Sequence, residues 1–161
     1  MTCSRLYDGP GTAGLGTAEP GTPASSTADP GTGPPWEAGR LPLSAHPGVV
    51  SAARDFTAYR LAGRADPVVV GDAVLLVSEV VSNACRHAGT PYDLLLVQGP
   101  GRLRAEVSDG SPRPPRLRTT HGPDDVGGLG LFLVDRLALC WGWYPQGRGK
   151  VVWFEFRLPE P

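Results

Sequence analysis

The sequence predicts an α+β domain of two layers, a sandwich with helices on one face of a mixed, mostly antiparallel sheet. Three segments carry helical spacing or helix start signals, and four apolar runs form two pairs that are separated by turns. With 161 residues, the chain is long enough for one domain with a single core. We therefore expect one such domain over residues 40–159, preceded by a tail.

Residues 1–39 are predicted to be a disordered tail. Between residues 8 and 35 the chain consists almost wholly of Gly, Pro, Thr, Ala and Ser, with Leu15 as its only large aliphatic residue. Such a segment cannot bury enough apolar surface to offset the entropy that is lost on ordering it. A passive extension and a docking tail are both retained as interpretations.

The domain is predicted to begin with a short edge strand at 40–43, because Pro is tolerated at the edge of a sheet. Apolar residues at helical spacing predict a first helix over 46–61. A second helix is expected over 67–88, since the pair Asp66-Pro67 combines a favoured N-cap residue with Pro at the first helical position. The β-branched residues in this helix lower its propensity, so burial must stabilise it.

The second half of the chain is predicted to contain two hairpins and one helix. Four apolar runs are predicted as strands, at 92–98, 103–108, 140–144 and 151–158. Turns that contain Gly, at 99–101 and 146–149, join these strands in two antiparallel pairs. A helix is expected over 128–138, after a loop rich in Pro and Arg.

The charge balance and the cysteines exclude several classes of protein. Fifteen Lys and Arg against sixteen Asp and Glu leave a net charge of -1, so the basic surface that binds nucleic acid is absent from the composition. The longest apolar stretches are about half a membrane span, and no secretory signal pattern opens the sequence. The three cysteines are an odd number without metal-type spacing, which fits a reducing compartment. We expect a cytoplasmic protein with no direct contact to nucleic acid or membrane.

The second predicted helix carries polar residues in one stripe. Glu79, Asn83 and His87 are four residues apart, and the first two lie at the border of the apolar face. Burying a carboxylate and an amide is costly without polar partners, and a Mg²⁺–phosphate ligand would supply them. A Glu one turn before the metal ligand could then deprotonate an attacking hydroxyl. The alternative is an ordinary polar stripe on a partly solvated helix.

Two further motifs point to a nucleotide. Asp109-Gly110 follows a strand, where the carboxylate can accept a hydrogen bond from an exocyclic amine such as N6 of adenine, although this dipeptide is also a common turn. Gly127-Gly128-Leu129-Gly130-Leu131 precedes an amphipathic helix, where backbone N–H groups and the helix dipole favour anions, although flexible loops have the same composition. Together the motifs supply a metal ligand, an adenine acceptor and a phosphate site.

These motifs resemble those of a known family. Glu79-Val-Val-Ser-Asn83-Ala-Cys-Arg-His87-Ala resembles the N box of the GHKL, or Bergerat-fold, histidine-kinase-like ATPases. Val107-Ser-Asp109-Gly110 resembles the G1 box, and Gly128-Leu-Gly130-Leu131 resembles the G2 box. The C-terminal pair of strands is similar to that of compact actinobacterial members. The nearest relatives would be anti-sigma-factor serine kinases of the RsbW/SpoIIAB type.

The resemblance implies a role for each matching position. Asn83 would ligate Mg²⁺ and contact ATP, and Glu79 would be the catalytic base. The other nucleotide contacts that the resemblance implies are His87 near the triphosphate, Asp109 and Gly110 at adenine, and the G2 residues Gly128, Leu129, Gly130 and Leu131 at the phosphates. The 111–126 loop would be the ATP lid. Lys150, where some relatives have Thr, could reach a phosphate or face solvent.

The resemblance also implies an activity, with ATP and Mg²⁺ as cofactors. We expect a serine/threonine protein kinase that phosphorylates a STAS-type anti-sigma-factor antagonist and thereby controls a sigma factor, with a homodimer as a possible assembly. The alternative is an ATP-dependent switch that binds its partner without phosphoryl transfer. The sequence has no phospho-acceptor helix pair and no transducer domain, so neither a self-contained histidine kinase nor a gyrase-like ATPase is expected.

Overall fold

The computed structural model describes residues 36–44, 46–88, 91–115 and 129–159. The predicted tail up to residue 35 and residues 116–128, which include Gly128 and most of the predicted lid, lie outside these ranges. The elements in chain order are β1 (Glu37–Pro42), α1 (Val49–Leu61), α2 (Pro67–Ala88), β2 (Pro91–Gly99), β3 (Arg102–Asp109), α3 (Leu129–Leu137), β4 (Cys140–Gln146) and β5 (Gly149–Arg157). All eight predicted elements are therefore present.

Two element boundaries differ from the prediction. β1 begins at Glu37, so residues 37–39 belong to the sheet rather than to the tail, because they pair with residues 96–98 of β2. α1 begins at Val49, later than predicted, since the Gly48 N–H donates to His46 Nδ1 at 3.0 Å and the chain still turns there.

The five strands form one sheet in the order β1-β2-β3-β5-β4. Every ladder between the described strands is antiparallel, so the parallel component implied by a mixed sheet is not found. After β3 the chain passes through α3 and returns as β4 at the far edge of the sheet. β5 then folds back into the gap between β4 and β3, and this places the end of β3 beside the start of β5.

The helices cover one face of this sheet and enclose the core. Side chains on alternate strand positions point into this layer and are buried: Leu94, Leu96, Leu103, Ala105, Val107, Val152, Phe154 and Phe156. From the helix side, α2 contributes Ala73, Leu76, Val77, Val80, Val81 and Ala84. α2 contacts β2 and β3, with α1 and α3 on either side of it. The predicted two-layer α+β fold is confirmed.

The other face of the sheet carries a group of charged and aromatic side chains. Arg104 hydrogen-bonds Glu106 at 2.7 Å and Glu155 at 3.2 Å, and its guanidinium stacks 4.1 Å from the centre of the Trp153 ring. Tyr144 donates to Glu106, and burial together with this carboxylate raises the pKa of Tyr144 to about 12. These charged and aromatic groups therefore pair with one another on the face that the helices leave uncovered.

α2 is more apolar than the sequence analysis anticipated. Residues Pro67–His87 are long and apolar enough, by length and composition, to cross a membrane, so the expectation of half a span is wrong for this helix. The length of this apolar segment is not evident from uninterrupted apolar runs, because isolated polar residues such as Asp72 and Glu79 divide it. A core helix passes the same test, and α2 packs its apolar residues against the sheet.

The burial of α2 predicts unequal effects for the same substitution at two adjacent positions. Leu76 is fully buried, whereas Leu75 is 39% exposed. We expect Leu76→Ala to lower the free energy of unfolding by about 2–5 kcal/mol through lost burial and a residual cavity. Leu75→Ala serves as the control, with an expected change within about 0.5 kcal/mol. Urea denaturation measures both values, and equal losses would contradict the assignment of this face to the core.

Candidate functional site

The start of α3 lies directly against the polar stripe of α2. A Cβ atom at Gly130 would be 2.6 Å from Glu79 Oε2, 3.2 Å from Glu79 Cβ and 3.1 Å from Asn83 Nδ2. Real Cβ atoms do not approach other atoms as closely as the first of these distances, so only Gly fits without displacing a neighbour. The structure thus brings the central G2 glycine together with two residues of the N box.

Glu79 and Asn83 are half-buried at the border of the core. Their neighbours on α2, Val80 and Ala84, are 2% and 4% exposed. An acidic and an amide side chain at the edge of an apolar layer are well placed to bind a cation, because carboxylate and amide oxygens are hard ligands of the kind that Mg²⁺ prefers. The space that a Cβ would fill at Gly130 lets backbone approach these groups closely. The residues present therefore fit a Mg²⁺–phosphate group.

The other residues of the N and G2 boxes have different surroundings. His87 and Arg86 are exposed in the last turn of α2, one turn beyond Asn83. Leu131 is 7% exposed in α3, so its side chain packs in the protein and only its backbone could face a ligand. Leu129 is the first residue of α3. The contacts predicted for these residues and for Gly128 stay predictions.

A second polar group lies at the end of β3. Asp109 and Lys150 are opposite each other in the β3–β5 ladder and are only 4% and 6% exposed. Lys150 Nζ is 2.8 Å from each carboxylate oxygen of Asp109. The same ammonium donates to the Ser111 carbonyl at 3.3 Å, and the Ser111 N–H donates to Asp109 Oδ1 at 2.8 Å. Asp109, Lys150 and the backbone of Ser111 therefore form one buried network.

This network corrects one sequence-based alternative for Lys150. A solvent-facing Lys150 is excluded, because the side chain is buried and ion-paired. The contribution of Gly149 is visible only in the structure. A Cβ at Gly149 would collide with the Asp109 carbonyl oxygen and lie 3.1 Å from Gly110 Cα. The signal for both residues is the Gly-Lys pair after the β4–β5 turn, but the sequence does not specify the register that brings it to Asp109.

The two groups face the same layer of the molecule. Ser108 and Val151 point to the face of the sheet that lies away from the helices. Their strand neighbours Asp109 and Lys150 therefore point toward the helices, as do the buried Val107 and Val152. The Glu79–Asn83–Gly130 group lies where α2 and α3 meet, on the helix side of that layer. The sheet thus presents an anionic acceptor beside a cation, and the helices present hard oxygen ligands beside a helix N-terminus.

The comparisons with known proteins agree with this architecture. The model of a family described as the histidine kinase-like ATPase domain matches residues 43–156. Among solved structures, the chain is similar to the crystal structure of the RsbU and RsbW domains of Rv1364c from Mycobacterium tuberculosis, with a TM-score of 0.57 and 20% sequence identity. This similarity covers 78% of the present chain and 33% of the other, and at this identity it shows the fold alone. No curated protein sequence matches the chain.

The family match spans more than half of the chain and includes both polar groups of the site. The resemblance seen in the N, G1 and G2 boxes is therefore confirmed at the level of family and fold. Membership of an ATPase domain family implies that the chain binds ATP. The chain belongs to the histidine kinase-like ATPase domain family.

Proposed function

We propose that this chain is a serine/threonine protein kinase of the anti-sigma-factor type, which transfers the γ-phosphoryl group of ATP to a STAS-type anti-sigma-factor antagonist. The observation that carries this proposal is the contact of Gly130 with Glu79 and Asn83. It brings together a candidate base, a candidate metal ligand and a backbone that can approach phosphate. Membership of an ATP-binding family supports the use of ATP. The acidic residue beside the proposed metal ligand supports the transfer of the phosphoryl group.

In this proposal each residue has a separate task. Asn83 would hold Mg²⁺ through its amide oxygen, and the N-terminal backbone of α3 would face the phosphates. When bound, Mg²⁺ would neutralise phosphate charge and orient the γ-phosphoryl group. Glu79 would accept the proton of the attacking Ser or Thr hydroxyl while the hydroxyl oxygen bonds to the γ-phosphorus. The bond between the γ-phosphorus and the β-phosphate oxygen breaks in the same step. Asp109 would bind the adenine amine at the other end of the nucleotide.

We place this activity in the cytoplasm, where a sigma factor and its regulators meet. The cysteine composition supports this placement, since three cysteines are an odd number without metal-type spacing. Burial raises the pKa of the Cys85 thiol, so Cys85 is protonated near neutral pH and slow to react.

The direct test is phosphoryl transfer from radiolabelled ATP, with Mg²⁺, to a purified STAS-type anti-sigma-factor antagonist. Label on a serine or threonine of the antagonist would support the kinase. Binding of ATP without transfer or hydrolysis would instead support a switch that captures its partner. A nucleotide at a hundred times its dissociation constant should stabilise the fold by about 2.7 kcal/mol. Failure of ATP, with or without Mg²⁺, to shift the melting temperature would reject both functions.

Substitutions in the N box should separate binding from turnover. Asn83→Ala removes the proposed metal ligand, so we expect Mg²⁺-dependent ATP binding to be lost in calorimetry. Glu79→Gln keeps the shape of the side chain but removes the base, so binding should remain while the transfer rate falls by about 10²-fold or more. The melting temperature without nucleotide is the control for folding. Equal binding losses in the two variants would show that these roles are wrongly assigned.

Substitution of Gly130 should lower activity more than stability. The new Cβ of Gly130→Ala would push the Glu79 carboxylate out of position, and small misplacements of a catalytic group can cost about 10²-fold in rate. Gly71→Ala is a matched control, because it is also a helical glycine and its new Cβ would meet nothing within 4 Å. We expect the control to keep full transfer activity and to gain roughly 0.5–1 kcal/mol in stability. Unchanged activity in Gly130→Ala would contradict the proposed site.

A further inference from the structure

We propose that Lys150 is a specificity-determining residue that reads the purine base: it donates a hydrogen bond to N1 of adenine while Asp109 accepts one from N6. This inference rests on the proposed binding of ATP and adds a contact at the base end of the site. It assigns Lys150 to the base. A phosphate contact was one of the two possibilities that the sequence left open for this residue. Three features of the structure support it.

The first feature is the burial of Lys150. A lysine is almost never buried unless it is paired, and the flexible stem of this residue could otherwise carry its ammonium to water. Here the ammonium lies 2.8 Å from the Asp109 carboxylate, with only 6% of the residue exposed. Gly149, whose lack of a Cβ lets β5 approach the Asp109 backbone, places the start of the lysine side chain beside the strand end. The ammonium is therefore held at Asp109.

The second feature is the hydrogen-bonding capacity that the pair retains. An ammonium group has three N–H donors; Asp109 Oδ1 and the Ser111 carbonyl accept hydrogen bonds from it, and Asp109 Oδ2 lies at the same 2.8 Å from Nζ, so the two carboxylate oxygens can share one donor. A carboxylate has about four lone-pair sites. Asp109 Oδ1 accepts from both Lys150 and the Ser111 N–H, so Oδ2 can accept from a ligand even while it contacts the ammonium. The pair can thus offer one acceptor and one donor side by side.

The third feature is the match between this pattern and one purine. The edge of adenine presents the N6 amino donor next to the N1 acceptor, which complements a carboxylate next to an ammonium. In the same orientation, guanine and hypoxanthine present the O6 acceptor and the N1–H donor. The O6 acceptor would then face the carboxylate, and the N1–H donor would face the ammonium. A site built to form specific hydrogen bonds rejects an analogue that leaves its buried polar groups unpaired. The Asp109–Lys150 pair therefore favours adenine nucleotides.

A phosphate contact fits these observations less well. The glycine that lets backbone approach the metal-binding stripe is Gly130 on α3, whereas Lys150 lies on β5 beside the carboxylate proposed to bind the base. Its charge is already balanced by Asp109, so it adds little net attraction for a triphosphate.

Nucleotide analogues test the proposal on the unmodified chain. We expect Mg²⁺-bound 1-deaza-ATP, which lacks the N1 acceptor, to bind about tenfold or more weakly than ATP in calorimetry, because a hydrogen bond to a charged group is lost. The analogue 7-deaza-ATP keeps both N1 and N6 and serves as the matched control, with unchanged affinity. GTP and ITP should bind more weakly than 1-deaza-ATP. Equal affinities for ATP and 1-deaza-ATP would overturn the proposal.

A variant then assigns the effect to Lys150. In Lys150→Met the preference for ATP over 1-deaza-ATP should disappear, whereas Arg148→Met, which removes an exposed cation two residues earlier, should retain it. If Lys150→Met does not fold, the analogue series on the unmodified chain still decides. A preference that persists in folded Lys150→Met would assign the N1 contact elsewhere and overturn the inference.

The outcomes distinguish this inference from the function on which it rests. If ATP itself does not bind, the proposed function fails and the inference fails with it. If ATP binds and discriminates at N1 but no phosphoryl transfer occurs, the base contact stands and only the kinase activity is rejected.

Discussion

The packing of α2 against β2 and β3 positions the Glu79–Asn83 part of the candidate site, because this helix is both the centre of the core and the carrier of the polar stripe. Residues such as Leu76 and Val77 are fully buried between the layers, and this fixes the rotation of the helix. Glu79 and Asn83 are consequently held at the border of the apolar face, where α3 meets them through Gly130. A small rotation of α2 would bury these groups in the core or expose them to solvent.

The β3–β5 ladder provides the second constraint, since it places Asp109 opposite Lys150. A buried ion pair is a poor means of stabilising a fold, because the cost of removing two charges from water can exceed their attraction. Apolar residues of similar volume would serve the core as well or better. The presence of this pair at a strand end, beside a Ser111 backbone that bonds both partners, is better explained by recognition of a ligand. The proposed contact with the base thus lies where the fold accepts polar groups at some cost.

Local patterns were sufficient to predict the secondary structure and the motifs. The Asp66-Pro67 start signal and the helical spacing after it predicted α2 with the bounds that are observed, because caps and periodicity act within a few residues. The N, G1 and G2 boxes were identified in the same way, since each is a short segment. Element ends were less accurate: β1 is extended by pairing with Gln98, a partner far along the chain that local propensity does not include.

The sequence by itself therefore determined the elements, the polar stripe of α2 and the family. Only the tertiary structure decided that the ladders between the described strands are all antiparallel, that Gly130 contacts Glu79 and Asn83, and that Lys150 is buried against Asp109. The physical reason is distance along the chain. Asp109 and Lys150 are 41 positions apart, and their contact depends on strand order and register, which arise from the packing of the whole sheet and not from any local preference.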